Sequence, residues 1–177
     1  SISSANAVIS MNGMSVTGEG TTGSGFNITA TGDATIALNG SNTAAAVNRR
    51  AIILSNSTIS SVNGDISFTA NSTTDDGIFL ENNTSVSSSG TGDISIEATI
   101  DDGGDQAIII FNGSSLTTTS GNIELTAVGG SNDLRFGGTS SAINSGSGNL
   151  ILTSDQIEFT NTSLQGTGNL VIQPNTA

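Results

Sequence analysis

The side chains that most often carry chemistry are missing from this chain. It has no Cys, His, Lys, Tyr or Trp, and its one proline is Pro174. Without Cys there is neither a disulfide frame nor a thiolate metal site. Without His, Lys or Tyr, general acid–base work would fall to carboxylates. Cations are scarce too. Three Arg face fifteen acidic residues, for a net charge of −12. Phosphate binding needs clustered cations, so the balance excludes nucleic acid as a partner. Anionic membrane surfaces are disfavoured on the same ground. No apolar run approaches the roughly 18 residues of a transmembrane helix, which argues against direct membrane insertion.

What is present is small and polar. Gly alone supplies 23 of the 177 residues, and only 34% are hydrophobic, against about half in an ordinary globular domain. Disorder is the wrong reading. Disordered chains favour high charge and few β-branched residues, whereas only 10% of residues here are charged. The apolar residues are mostly Ile, Leu, Val and Phe at regular places. An all-β fold with a thin core and many turns is expected.

The regularity is a repeat. "GDISFTA" starts at Gly64, "GDISIEA" at Gly92 and "GNIELTA" at Gly121. A first motif of paired apolar residues reads Phe26/Ile28, Ile66/Phe68, Ile94/Ile96, Ile123/Leu125, Leu150/Leu152 and Leu170/Ile172. Successive starts lie 40, 28, 29, 27 and 20 residues apart. A second motif gives Ile9/Met11, Ile36/Leu38, Ile52/Leu54, Ile78/Leu80, Ile109/Phe111, Leu134/Phe136 and Ile157/Phe159 as its inward pairs. A third supplies one apolar residue per unit: Val16, Ile59, Val86, Leu116, Ile143 and Leu164.

Each unit thus reads as three short strands with alternating faces, separated by Gly, Asn, Ser and Asp turns. No unit can bury its apolar face alone, but stacked units can. The expected fold is a parallel β-helix, or β-solenoid, of about six to seven coils, forming a single domain over 1–177. The 40-residue gap leaves an irregular insertion at 31–50. The repeated Asn after the second strand suits a left-handed corner. The Asp or Asn of each "GD" or "GN" suits a turn in which it bonds its own backbone.

"GIFLENNTSVSSSGTGDISIEA" and "AIIIFNGSSLTTTSGNIELTA" resemble the β-helical repeats of large bacterial surface exoproteins, the filamentous-haemagglutinin-like and autotransporter-like adhesins. The resemblance covers about Ala7 to Ile172. It implies a right-handed helix in a secreted, cell-surface stalk or filament, and it carries over no catalytic residues. The chain starts without Met and reads as a mature or excised piece of something longer.

Three candidate sites follow. Asp75, Asp76, Asp101, Asp102 and Asp105 lie in equivalent loops of adjacent units, where stacking gathers carboxylate oxygens into a candidate Ca²⁺ site; the competing reading is a solvated acidic loop. With the inward pairs above, Ile53, Phe79 and Ile110 form an outward apolar stripe, a candidate interface unless loops cover it. Leu170 and Ile172 are inward residues of the last unit, with nothing in the sequence to cover them. Further coils, or identical subunits end to end, are the expected partners.

The expected function is non-enzymatic: a structural segment of an extracellular bacterial adhesin or filament, spanning distance and presenting loops, with no cofactor required. A glycan- or calcium-binding module built on loops 71–77 and 99–106 is the alternative, with host or surface glycans as its partners. A polysaccharide-active β-helix enzyme is the third reading.

Overall fold

A computed structural model describes residues 1–15, 19–43, 49–101, 105–130 and 133–175. Among these residues there is no helix, and twenty short strands form three parallel sheets. The first sheet holds β2 (Ile9–Ser15), β5 (Ile36–Asn42), β8 (Ile66–Ser72), β11 (Ile94–Ile100), β14 (Ile123–Val128), β17 (Leu150–Thr153) and β20 (Leu170–Gln173), stacked in that order. The second holds β3 (Thr21–Ser24), β6 (Ile52–Ser55), β9 (Ile78–Glu81), β12 (Ile108–Phe111), β15 (Leu134–Gly137) and β18 (Ile157–Phe159). The third holds β1 (Ile2–Ser4), β4 (Asn27–Ala30), β7 (Thr58–Ser61), β10 (Ser85–Ser88), β13 (Ser115–Thr118), β16 (Ser141–Asn144) and β19 (Thr162–Gln165). Each strand pairs with the strand three places away in the chain. This is a β-solenoid with three strands per coil.

The register corrects the repeat at its amino-terminal end. Ile9, Ile36, Ile66, Ile94, Ile123, Leu150 and Leu170 stand in one column. They are 27, 30, 28, 29, 27 and 20 residues apart, so the 40-residue gap disappears. Ile9/Met11 and Ile36/Leu38 therefore belong to the first strand, not the second. Ile28 belongs to the third, in register with Ile59. Phe26 lies just before that strand, and its ring fills the space a Gly23 side chain would need. The stretch 31–50 is not an irregular insertion throughout, because β5 runs through it as a regular strand. Residues 44–48 and Val16 lie outside the described residues.

A second correction concerns β12. Ile108 pairs with Ile78 and Ile110 with Leu80, so Ile108 and Ile110 face the core. Both are fully buried. Ile109 and Phe111, expected inside, point outward. Ile52/Leu54, Ile78/Leu80 and Leu134/Phe136 sit as expected and are all buried, while Ile157/Phe159 keep that register but are half-buried and exposed respectively.

Corners repeat as faithfully as strands. The corner from the second sheet to the third has a left-handed residue in every described coil: Gly25, Asn56, Asn82, Asn112, Gly138 and Asn161. A Cβ makes this conformation unfavourable by about 1–2 kcal/mol, a penalty Gly escapes and Asn tolerates. Asn112→Ala should therefore lower stability by about 1 kcal/mol and Asn112→Gly by much less, as read from urea unfolding midpoints.

The corner from the third sheet to the first uses a different device. Asp65 Oδ1 accepts the Asp93 N–H at 2.9 Å, Asp93 Oδ1 the Asn122 N–H at 2.6 Å and Asn122 Oδ1 the Asn149 N–H at 2.9 Å. Asn149 Oδ1 then accepts the Asn169 N–H at 3.0 Å. The expectation that these side chains bond their own backbone is thus overturned. They bond the backbone of the next coil. Each corner N–H, pointing along the axis with no strand to receive it, needs such an acceptor to avoid the cost of an orphaned donor.

Candidate binding face and acidic cluster

The outward row of the second sheet runs Ile53, Phe79, Ile109, Arg135, Glu158. The candidate interface thus keeps Ile53 and Phe79 but loses Ile110, which is buried in the core with Ile109 in its outward place. The stripe is not bare. Ile53 and Phe79 are half-buried, and Ile109 retains only 4% exposure. Arg50 lies over the Phe79 ring, 4.5 Å from its centroid. Arg135 lies 5.7 Å from the centroid of Phe111. The two rings are 6.3 Å apart and tilted by 42°.

Charges on this face are paired. Arg50 Nε donates to Asp76 Oδ2 at 2.9 Å. Arg135 Nε lies 3.2 Å from Glu158 Oε2, but it is misaligned and makes no hydrogen bond. The second contact is an ion pair only, and at a half-exposed site it is worth less than about 1 kcal/mol. Between the two pairs lies a depression of about 210 Å³, lined by Arg50, Asp76, Phe79, Gln106, Ile109, Phe111 and Arg135. Two of the chain's three Arg and two of its six Phe meet there.

Beside it sits the acidic cluster. Carboxylate oxygens of Asp75, Asp76 and Asp105 lie within 4.8 Å of one another. Asp101 is exposed and does not join them, while Asp102 lies outside the described residues. Asp75 and Asp76 are buried, against the expectation of a solvated loop. Their oxygens accept hydrogen bonds: Asp75 from the Arg49 and Asp76 N–H groups at 2.7 Å each, Asp76 from Arg50 and from the Gln106 N–H at 3.2 Å. These donors tie residues 49–50 and the start of the next coil to one corner. The three residues have the ligand type for Ca²⁺, yet Asp75 and Asp76 already have donors without an ion.

Burial raises the Asp76 carboxyl above its ordinary value, more than the bonds from Gln106 and Arg50 lower it. Asp133, also buried, is raised for the same reason, with the Asp155 and Gln156 N–H groups opposing. The folded state therefore holds these protons more tightly than the unfolded chain. Where the folded form is protonated and the unfolded form is not, stability rises as pH falls. Acidification also reduces self-repulsion from the −12 net charge. The melting temperature should hold or rise from pH 7 to about pH 4. Asp76→Asn should flatten that slope. A melt that weakens steadily over this range would contradict the assignment.

The end of the last coil is open. Leu170 and Ile172 are in register with Leu150 and Leu152, yet they are 54% and 55% exposed. Phe159 stacks on Phe136 at 5.1 Å, with planes 3° apart, and its other face is uncovered.

Comparison with family models, curated proteins and solved structures found no match for this chain.

The Arg50–Gln106–Phe111–Arg135 grouping escaped the sequence reading because β12 was phased one residue off. The signal was present. The left-handed corner residue follows the last inward residue of the second strand by two places, as in Leu54–Asn56, Leu80–Asn82 and Phe136–Gly138. Asn112 then requires Ile110, not Phe111, to point inward.

Proposed function

We propose that this chain is a non-enzymatic structural segment of an extracellular bacterial adhesin or filament, whose task is to span distance and carry loops outward. The observation that supports this most is the unbroken register. All three sheets stay in register from coil to coil, the inward apolar columns departing at Thr21 and Gly23 of β3, and side-chain acceptors join the coils from Asp65 to Asn169. Such a stack extends by addition, each coil adding about 4.8 Å of length. The resemblance of the repeats to surface exoproteins points the same way. Antibodies to the rod should label intact, unpermeabilised source cells; labelling only after lysis would overturn the location.

Its partners in this reading are further coils of the same kind, or identical subunits, seated on the open face of Leu170, Ile172 and Phe159. Uncovered strand edges and inward apolar side chains invite that pairing. Sedimentation of the isolated chain should show concentration-dependent association. Leu170→Asp with Ile172→Asp should abolish it, and a wild-type chain that stays monomeric at all concentrations would remove this part of the reading.

A further inference from the structure

The depression on the second sheet differs from the rest of the surface. It gathers aromatic rings, guanidinium groups and an amide in a chain that has few of any but the last. The two tilted rings and Ile109 give it an apolar lining, with Arg50 over one side of Phe79 and Arg135 near one side of Phe111. Above them stand directional polar groups. Each Arg engages its carboxylate through Nε. Among the described residues, neither the Nη groups of Arg50 and Arg135 nor the Gln106 side-chain amide has a hydrogen-bond partner. Among the lining residues, the Asp76 carboxylate and the Gln106 amide oxygen supply acceptors beside these donors.

The charge pattern selects the occupant. Each cation has its own anion, so the face carries paired charges, within a molecule of net charge −12. A polyanion gains little from cations already paired and is repelled by the whole. A cation meets two guanidinium groups. An uncharged ligand suits the site, provided it brings hydroxyl groups for the donors and acceptors and an apolar face for the rings. We propose that this depression binds one neutral saccharide ring. Its size agrees: about 210 Å³ is below the range of about 300–1,000 Å³ typical of drug-sized ligands. Repetition of such a single-ring site along a filament would strengthen the binding. The site sits where the ends of loops 71–77 and 99–106 meet the sheet. Its failure would leave the rod reading untouched.

The test is a titration followed by amide NMR shifts, using the methyl glycosides of glucose, galactose and mannose, with galacturonate and a pentaglutamate peptide as anionic counterparts. Saturable shifts at Phe79, Gln106, Ile109 and Phe111 with at least one neutral glycoside are expected. Arg135→Gln and Gln106→Ala should each weaken binding at least tenfold, in proteins whose melting temperatures match the parent. Thr117→Ala, on the third sheet, should leave it unchanged. The proposal is overturned if no neutral glycoside gives saturable shifts at these residues, if the variants bind equally, or if galacturonate or the peptide binds in preference.

Discussion

Gly121→Ala is expected to destabilise the rod by about 3 kcal/mol or more, at the upper end of overpacking costs. The reason lies in the column Ala34, Gly64, Gly92, Gly121, Gly148, Gly168, which lines the corner before the first sheet. A Cβ at Gly121 would sit inside contact distance of the Gly92 carbonyl oxygen and carbon, and close to the Asp93 nitrogen. These are backbone atoms, fixed by the ladder in which Asp93 receives the Asn122 N–H. They cannot rotate aside as a side chain would. The methyl must push two coils apart at a point where the sheets hold them together. Guanidinium unfolding reads the loss directly; a midpoint within error of the parent would show that the coils are not stacked as closely as described. The recurrence of "GDI" and "GNI" is thereby explained. Gly is required by the neighbour below it, and Asp or Asn by the backbone N–H above.

Phe68→Ala should cost about 3–5 kcal/mol, through lost burial and the cavity left behind. Phe68 is 1% exposed in the middle of the first sheet, packed between Leu38 and Ile96 in its column. Phe111→Ala should cost under about 1 kcal/mol, the size of an exposed cation–π contact. Its ring is outward, against Arg135 and Phe79. Both changes delete the same atoms, so the contrast isolates facing. Comparable losses would return Phe111 to the core and dissolve the depression proposed as a saccharide site.

The solenoid was legible in the sequence because a period-2 pattern inside a longer repeat has few physical solutions. Where the reading slipped, local ambiguity was the cause. "AIIIF" has four consecutive large apolar residues, and alternation cannot set its phase. "MNG" in β2 and "LNG" in β5 look like the end of a second strand. In fact both strands continue through their Asn and Gly: Asn39 Nδ2 donates to Asn12 Oδ1 at 2.7 Å across the pair, and the alternation puts Gly40 inward, where the Ala51 carbonyl leaves no room for a side chain. The distance from the last inward residue to the Asn, one place here and two at true corners, separates the cases. The acidic cluster was legible in part. Stacking of equivalent loops brought Asp75, Asp76 and Asp105 together, but the burial of Asp75 and Asp76 is accompanied by donors from Arg49, Arg50 and Gln106, which no spacing rule locates.

The central claim is that the coils are equivalent units stacked along one axis, so that length is a count of coils. Removing residues 94–122 takes out one coil, β11, β12 and β13, and places Ile123 after Asp93. The absence of native Cys allows spin labels at Asn27→Cys and Ser163→Cys, the ends of one outward column through Thr58, Ser85, Ser115 and Ala142. In the parent these labels are five strand spacings apart, about 24 Å at about 4.8 Å each. Pulsed electron–electron resonance should show that distance shortened by about 5 Å in the excised chain, which should still melt cooperatively. An unchanged distance, or a chain that no longer folds, would contradict the account.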